Sequence, residues 1–345
     1  MTTETTTKEK THPRSLEGAR ALCKLSMLSY WKLGQDGFFD ADVDAKALDF
    51  ATPLGFEPLI GDGATLRRET MEVLGGGGVQ RRAWFDVDST STTTTTTTTR
   101  AGVFRVRSSD KDWLVVVFRG TTPSPLRGLI RESQINGRAG QTTWRDAPSS
   151  MMGGGRVHAG YAEAYAALKS KVEDAVKREM DESASEETRL VVTGHSLGGA
   201  MTTLCAARLA EEYGRVDAVT FGQPRVGDSN FVKMIDEGLE GKLSYARVVH
   251  AGDLFARVPT SGIWLPTSNE GQFSVEYAHG GSMLWTEAGG ESIHSYHPKG
   301  SGDPEGFSTD ARMINPIGVA RAHSGYARFM EDETLRSRWP ASGLI

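Results

Sequence analysis

Cysteine is scarce: Cys23 and Cys205 are the only two in 345 residues. Two cannot build a disulfide framework, and their spacing matches no metal motif. Two buried apolar thiols are the expectation. Long hydrophobic runs are also missing. The longest strongly apolar stretch is Leu114-Val115-Val116-Val117-Phe118, far short of the roughly 20 residues that a membrane-spanning helix needs. The opening Met1-Thr2-Thr3-Glu4-Thr5 lacks the basic-then-apolar layout of a signal peptide. A net charge of −5 leaves no basic footprint for nucleic acid. No His-Glu-x-x-His is present, and Gly75-Gly76-Gly77-Gly78 and Gly153-Gly154-Gly155 lack the Lys-Ser/Thr ending of a phosphate loop. Neither a metal, a cofactor nor a nucleic-acid partner is expected.

Hydrophobic residues are few, 38% against the usual ~45–50%. The shortfall has a local cause. Residues 1–14 read as a disordered polar arm. Thr92 to Thr99 is an unbroken threonine run, placed at the tip of a hairpin insertion near 89–100. A Gly-rich loop is expected near 286–312. Such stretches bury too little apolar surface to offset their ordering entropy. The remaining residues suffice for one large core.

Ser15 is a plausible N-cap for a helix that carries Leu22, Leu25 and Leu28 on one face. Short strands are expected at 81–88 and 101–107, and a doubly buried strand at Trp113 to Phe118. Residues 121–157 read as irregular. From there the pattern is regular: helix 160–180, strand Leu190 to Thr193, helix Gly199 to Tyr213 stopped by Gly214, strand Asp217 to Phe221, helix Phe231 to Asp236, strand Ser244 to His250. Alternation of this kind implies βαβ units and a mostly parallel sheet with helices on both faces.

The most informative segment is Thr193-Gly194-His195-Ser196-Leu197-Gly198-Gly199-Ala200. It is a Gly-x-Ser-x-Gly with a strand before it and a helix after it. A nucleophilic serine on so tight a turn presses its flanking residues together, and Gly194 and Gly198 have no Cβ to clash. The following helix aims its N-terminal N–H groups at a developing oxyanion, and Leu197 should supply one. An incidental serine at a Gly-rich helix start is the competing reading.

A serine nucleophile needs a base, and the base needs an orienting carboxylate. In this arrangement the chain order is Ser, acid, His. That discards His12, His158 and His195. Asp253 directly follows the strand ending at His250, on the functional edge of a parallel sheet. For the base, His279 and His323 compete on residues alone, with the balance slightly toward His323. His294 and His297 lie in a polar loop.

In order, the motifs Val117-Phe118-Arg119-Gly120-Thr121, Val157-His158-Ala159-Gly160-Tyr161, Gly194 to Ala200, Phe221-Gly222-Gln223-Pro224-Arg225-Val226-Gly227-Asp228, Asp253 to Pro259 and His323 to Tyr326 resemble the class 3 lipases. That family comprises fungal triacylglycerol lipases and their plant and algal relatives. The resemblance spans roughly residues 100–330. It implies one α/β-hydrolase domain over 15–340 and a triad of Ser196, Asp253 and His323. It also implies an oxyanion hole made by Thr121 and Leu197. The interval from Asp253 to His323 is longer than the family pattern, and the excess is assigned to a loop near 286–312.

The resemblance further implies a lid after the oxyanion strand. Leu126, Leu129 and Ile130 fall at i, i+3 and i+4 there, with five arginines between Arg119 and Pro148. A basic, amphipathic lid suits transient contact with a lipid interface; an ordinary surface loop is the competing reading. The implied activity is acylglycerol ester hydrolysis. The alternatives are a phospholipase A1, a galactolipase or another carboxylesterase, or a catalytically silent binding protein on the same fold. The expected location is intracellular, in the cytoplasm or at the surface of a lipid droplet or organelle.

Overall fold

A computed structural model of the chain describes residues 12–30, 32–33, 39–40, 72, 79–90, 96–108, 111–120, 140–149, 155–183, 188–250, 252–259, 263–266, 272–286, 293–296 and 322–339, and the structural statements below concern these. Thr121, most of the expected lid, Gly75 to Gly78, His297 and most of the Gly-rich loop near 286–312 lie outside them.

Eight strands form the central sheet: β1 (Val79–Thr90), β2 (Thr96–Arg107), β3 (Asp112–Phe118), β4 (Arg189–His195), β5 (Val216–Phe221), β6 (Leu243–Val249), β7 (Ser282–Thr286) and β8 (Ile293–Tyr296). Every strand pairs with its neighbours in sequence, so the sheet reads β1 to β8 from edge to edge. The run β3-β4-β5-β6-β7 is parallel. Antiparallel pairs close both ends, β1-β2-β3 and β7-β8.

Helices α2 (Ala159–Asp181), α3 (Leu197–Tyr213) and α4 (Ser229–Asp236) make the crossovers β3→β4, β4→β5 and β5→β6. Right-handed crossovers stepping the same way along a sheet put their helices on one face, and all three pack in one cluster. Strand alternation divides β3 between the two faces. Leu114, Val116 and Phe118 meet that helical layer, whereas Trp113, Val115 and Val117 meet the opposite one.

The opposite face has to be covered by segments outside the crossovers. The chain uses α1 (Leu16–Leu28), α5 (Tyr326–Met330) and α6 (Thr334–Arg338). Ser15 caps α1 by accepting the Gly18 N–H at 3.1 Å. Arg20 Nε donates to the Met330 carbonyl at 2.6 Å, and Lys24 pairs with Glu331 at 2.9 Å. Trp339 Nε1 donates to the Arg14 carbonyl at 3.1 Å. At the lower edge of the sheet, buried Asp217 takes Arg14 at 3.2 Å and Arg189 at 3.3 Å. Residues 12–14, assigned to the polar arm on sequence, are thus held against the sheet.

Three other segments differ from the sequence reading. The strands of the first hairpin reach Thr90 and start again at Thr96, so half of the threonine run is paired strand. Threonine is β-branched and suits a ladder even where its polarity suggests a loop. Within 121–157, Gln141–Thr143 pairs with Arg156–His158. Within the Gly-rich stretch, Ile293–Tyr296 is a strand on β7.

Leu22 is fully buried in the α1 face, and Glu17 is exposed on the same helix. Leu22→Ala should lower the unfolding free energy by about 2–5 kcal/mol. Glu17→Ala should change it by less than about 0.5 kcal/mol. Equilibrium urea unfolding reads both, and equal losses would contradict the layer assignment.

Candidate active site

Between β4 and α3 the chain turns on Ser196, at φ 58° and ψ −128°. Among the described residues it is the only non-glycine with positive φ. Such geometry costs on the order of 1–3 kcal/mol and persists only where its surroundings fix it. They do so here. The Ser196 N–H donates to the Phe221 carbonyl at 3.0 Å, and its own carbonyl accepts from Gly199 N–H at 2.9 Å. A Cβ on Gly194 would stand 2.5 Å from the Gly198 carbonyl, and one on Gly198 would stand 2.2 Å from the Phe118 oxygen. The two glycines therefore allow β4, α3 and the end of β3 to converge.

The structure brings His323 and Asp253 to this serine. His323 Nε2 lies 2.8 Å from Ser196 Oγ. Its Nδ1 lies 3.0 Å from each Asp253 oxygen. Asp253 is wholly buried just beyond β6. Tyr326 donates its hydroxyl proton to Oδ2 at 2.7 Å, and the Phe255 N–H donates to Oδ1 at 2.9 Å. Burial pushes the Asp253 carboxyl toward neutrality. The His323 imidazole, together with the His323 and Tyr326 hydrogen bonds, outweighs burial and holds the carboxyl below its ordinary pKa. It is an ionised group that holds Nδ1 protonated and leaves Nε2 facing the serine. The His323 ring lies between Phe255, 4.2 Å away, and His195, 4.6 Å away.

The rival histidines go elsewhere. His279 Nε2 donates to the Ala256 carbonyl at 2.7 Å, bracing the turn that follows Asp253. His158 caps α2, with Nδ1 accepting the Gly160 N–H at 3.1 Å. It stacks on Tyr161 at 3.9 Å, and burial pushes its pKa down to about 4. Leu197 is the first residue of α3, so its N–H belongs to the helix turn that lacks intrahelical acceptors. Thr121 lies one residue past the described part of β3's exit, at Gly120. A Cβ built on Gly120 would be 3.0 Å from Ser196 Cβ, so that exit runs directly beside Ser196.

Several residues that shape the site carry no assigned role in the sequence reading. Gly222, at φ +57°, leaves room that a Cβ would fill, 2.7 Å from Asp253 Oδ2 and 2.8 Å from the Tyr326 ring. Its place in the Phe221-Gly222-Gln223-Pro224 motif was the available signal. Tyr326 closes the His-x-x-Tyr motif, yet nothing local shows that it reaches Asp253. Phe255 lies in the Asp253 to Pro259 motif, and Tyr30 had no signal at all. Among the described residues no cluster of three or more His, Cys, Asp or Glu is arranged to hold a metal.

Residues 115–262 match the family described as Lipase (class 3). The chain is 39% identical over 124 residues to a phospholipase A1-II 4 of Oryza sativa subsp. japonica, covering 31% of each chain. It is 30% identical over 158 residues to secreted mono- and diacylglycerol lipase 1 of Fusarium solani, covering 46% of this chain and 43% of that one. The chain thus spans less than half the length of either relative. The lipase of Rhizopus microsporus var. chinensis superimposes with a TM-score of 0.56 at 18% identity, over 88% of this chain and 85% of that one. The fold is that of the α/β-hydrolases.

Gly198 and Gly214 separate two kinds of glycine requirement. Around Gly214, φ +72°, a Cβ would meet nothing within 4 Å. Gly214→Ala should therefore lose only the backbone preference, about 1–2 kcal/mol. Gly198→Ala must displace the Phe118 carbonyl and should leave little folded protein. Thermal melting of the two variants tests this, and a Gly198→Ala variant as stable as Gly214→Ala would contradict the packing described.

Proposed function

We propose that the protein is a serine carboxylester hydrolase acting on acylglycerols. The observation that carries this reading is the continuous hydrogen-bonded line Ser196 Oγ, His323, Asp253. Ser196 Oγ attacks the ester carbonyl carbon while His323 Nε2 takes its proton. The resulting imidazolium is stabilised by ionised Asp253. The Leu197 N–H and the N–H of Thr121 bind the oxyanion. Collapse releases the alcohol, which takes the proton back from Nε2, and leaves an acyl-Ser196. Water, activated by the same imidazole, then releases the fatty acid.

Support for an acylglycerol substrate comes from the family match and from the Fusarium relative, a mono- and diacylglycerol lipase. The 39% identity to a phospholipase A1 supports a second substrate reading, with a phospholipid as the ester donor. Parallel assays on tri-, di- and monoacylglycerol and on phosphatidylcholine, each over a series of chain lengths, separate the two. A basic lid over 122–148 adds one expectation: emulsified ester should be hydrolysed faster than the same ester in monomeric solution.

Ser196→Ala should abolish hydrolysis and labelling by a fluorophosphonate while leaving the melting temperature close to wild type. Asp253→Asn should cost on the order of 10³–10⁴ in kcat, as expected for loss of the group that sets the imidazole tautomer. Wild-type protein that resists the fluorophosphonate would overturn the mechanism and favour a catalytically silent binding protein.

A further inference from the structure

His195 stands beside the nucleophile but takes no part in the mechanism above, and Tyr30 comes from the distant α1 segment. Both are buried. The His195 Nε2 lies 2.6 Å from the main-chain carbonyl of His323. Its Nδ1 lies 2.7 Å from the Tyr30 hydroxyl. A Cβ on Gly120 would stand 2.1 Å from the Tyr30 oxygen, so the exit of β3 packs directly against that hydroxyl.

The proton positions along this line follow from the end group. A carbonyl oxygen only accepts, so His195 Nε2 carries the proton. Burial, the largest influence on it, pushes the His195 pKa down to about 3, so the ring is neutral and its Nδ1 is bare. The Tyr30 hydroxyl must then donate to Nδ1. A half-turn of the His195 ring would remove both ring nitrogens from their partners. The order Tyr30 Oη–H → Nδ1 His195 Nε2–H → O=C His323 is therefore unique.

We propose that Tyr30 and His195 are positioning residues. Together they tie the exit of β3, where the oxyanion donor follows, to the main chain of the histidine that accepts the serine proton. The inference rests on the esterase reading above. Its physical content is alignment. Gly120 lies beside Ser196, and the His323 ring follows its own backbone. One relay therefore fixes both the oxyanion side and the base side of the reacting carbon. Misplacement of such groups lowers transition-state stabilisation more than ground-state binding.

Tyr30→Phe in the full chain tests this, because the ring and its packing stay and only the hydroxyl goes. Active sites are counted by fluorophosphonate titration, and kcat and KM are measured on a water-soluble short-chain ester. The expected result is a fall of about tenfold in kcat and in the phosphonylation rate, the equivalent of losing about one hydrogen bond, with KM within about twofold of wild type. Nitrogen NMR of the imidazole should show His195 as the Nε2–H tautomer in both proteins, with the Nδ1 resonance moving in Tyr30→Phe. Unchanged kcat per active site, or an Nδ1–H tautomer in the wild type, would overturn the proposal while leaving the esterase reading intact. A wild type that is not phosphonylated would overturn both.

Discussion

A serine at φ 58° and ψ −128° stays there only because three backbones leave it no alternative. β4 delivers it, α3 carries the chain away at once, and the Phe118 carbonyl of β3 lies where a side chain on Gly198 would be. The hydrogen bond from Ser196 N–H to Phe221 adds the neighbouring strand β5 to the clamp. Everything else at the site is arranged around this fixed point. The parallel register of β3, β4, β5 and β6 brings Gly120, Ser196, Gly222 and Asp253 to one edge of the sheet. The strain is thus offset by the packing of the whole parallel core, and no residue within the turn has to carry it alone.

The two faces of the sheet are covered in different ways. Crossover helices fill one face as a by-product of building the sheet. The other face waits for α1 and the last helices, which meet through Arg20, Lys24 and Trp339. This second layer also supplies chemistry. His323 and Tyr326 come with the C-terminal helices and Tyr30 with α1. The layer that completes the core therefore also completes the site, and stability and alignment are coupled through the same packing.

The parts legible in sequence are those fixed by short-range sterics. Gly194 announces the elbow because the clash it avoids, with the Gly198 carbonyl, lies within five residues, and Gly198 completes the same short motif. Ser15, the 3.6-residue apolar spacing after it and Gly214 mark helix ends for local reasons. Asp253 was readable because it follows a strand ending at the functional edge. The base was harder. His279 and His323 compete as sequence, with only a slight balance toward His323, and tertiary packing turns one toward Ala256 and the other toward Ser196. Tyr326 on Asp253, Gly222 beneath them and Tyr30 on His195 are contacts across 73, 31 and 165 positions. No periodicity encodes such pairings. The threonine ladder of β1 and β2 misled for a different reason: its side chains are polar, while its backbone preference is extended.

The order in which the ribosome makes these pieces has a consequence. His323 lies 127 residues after Ser196. At roughly 5–20 residues per second, the elbow and most of its sheet exist for on the order of ten seconds before an imidazole can reach Ser196. Ser196 and His323 can therefore meet only once the helices that cover the second face have been made.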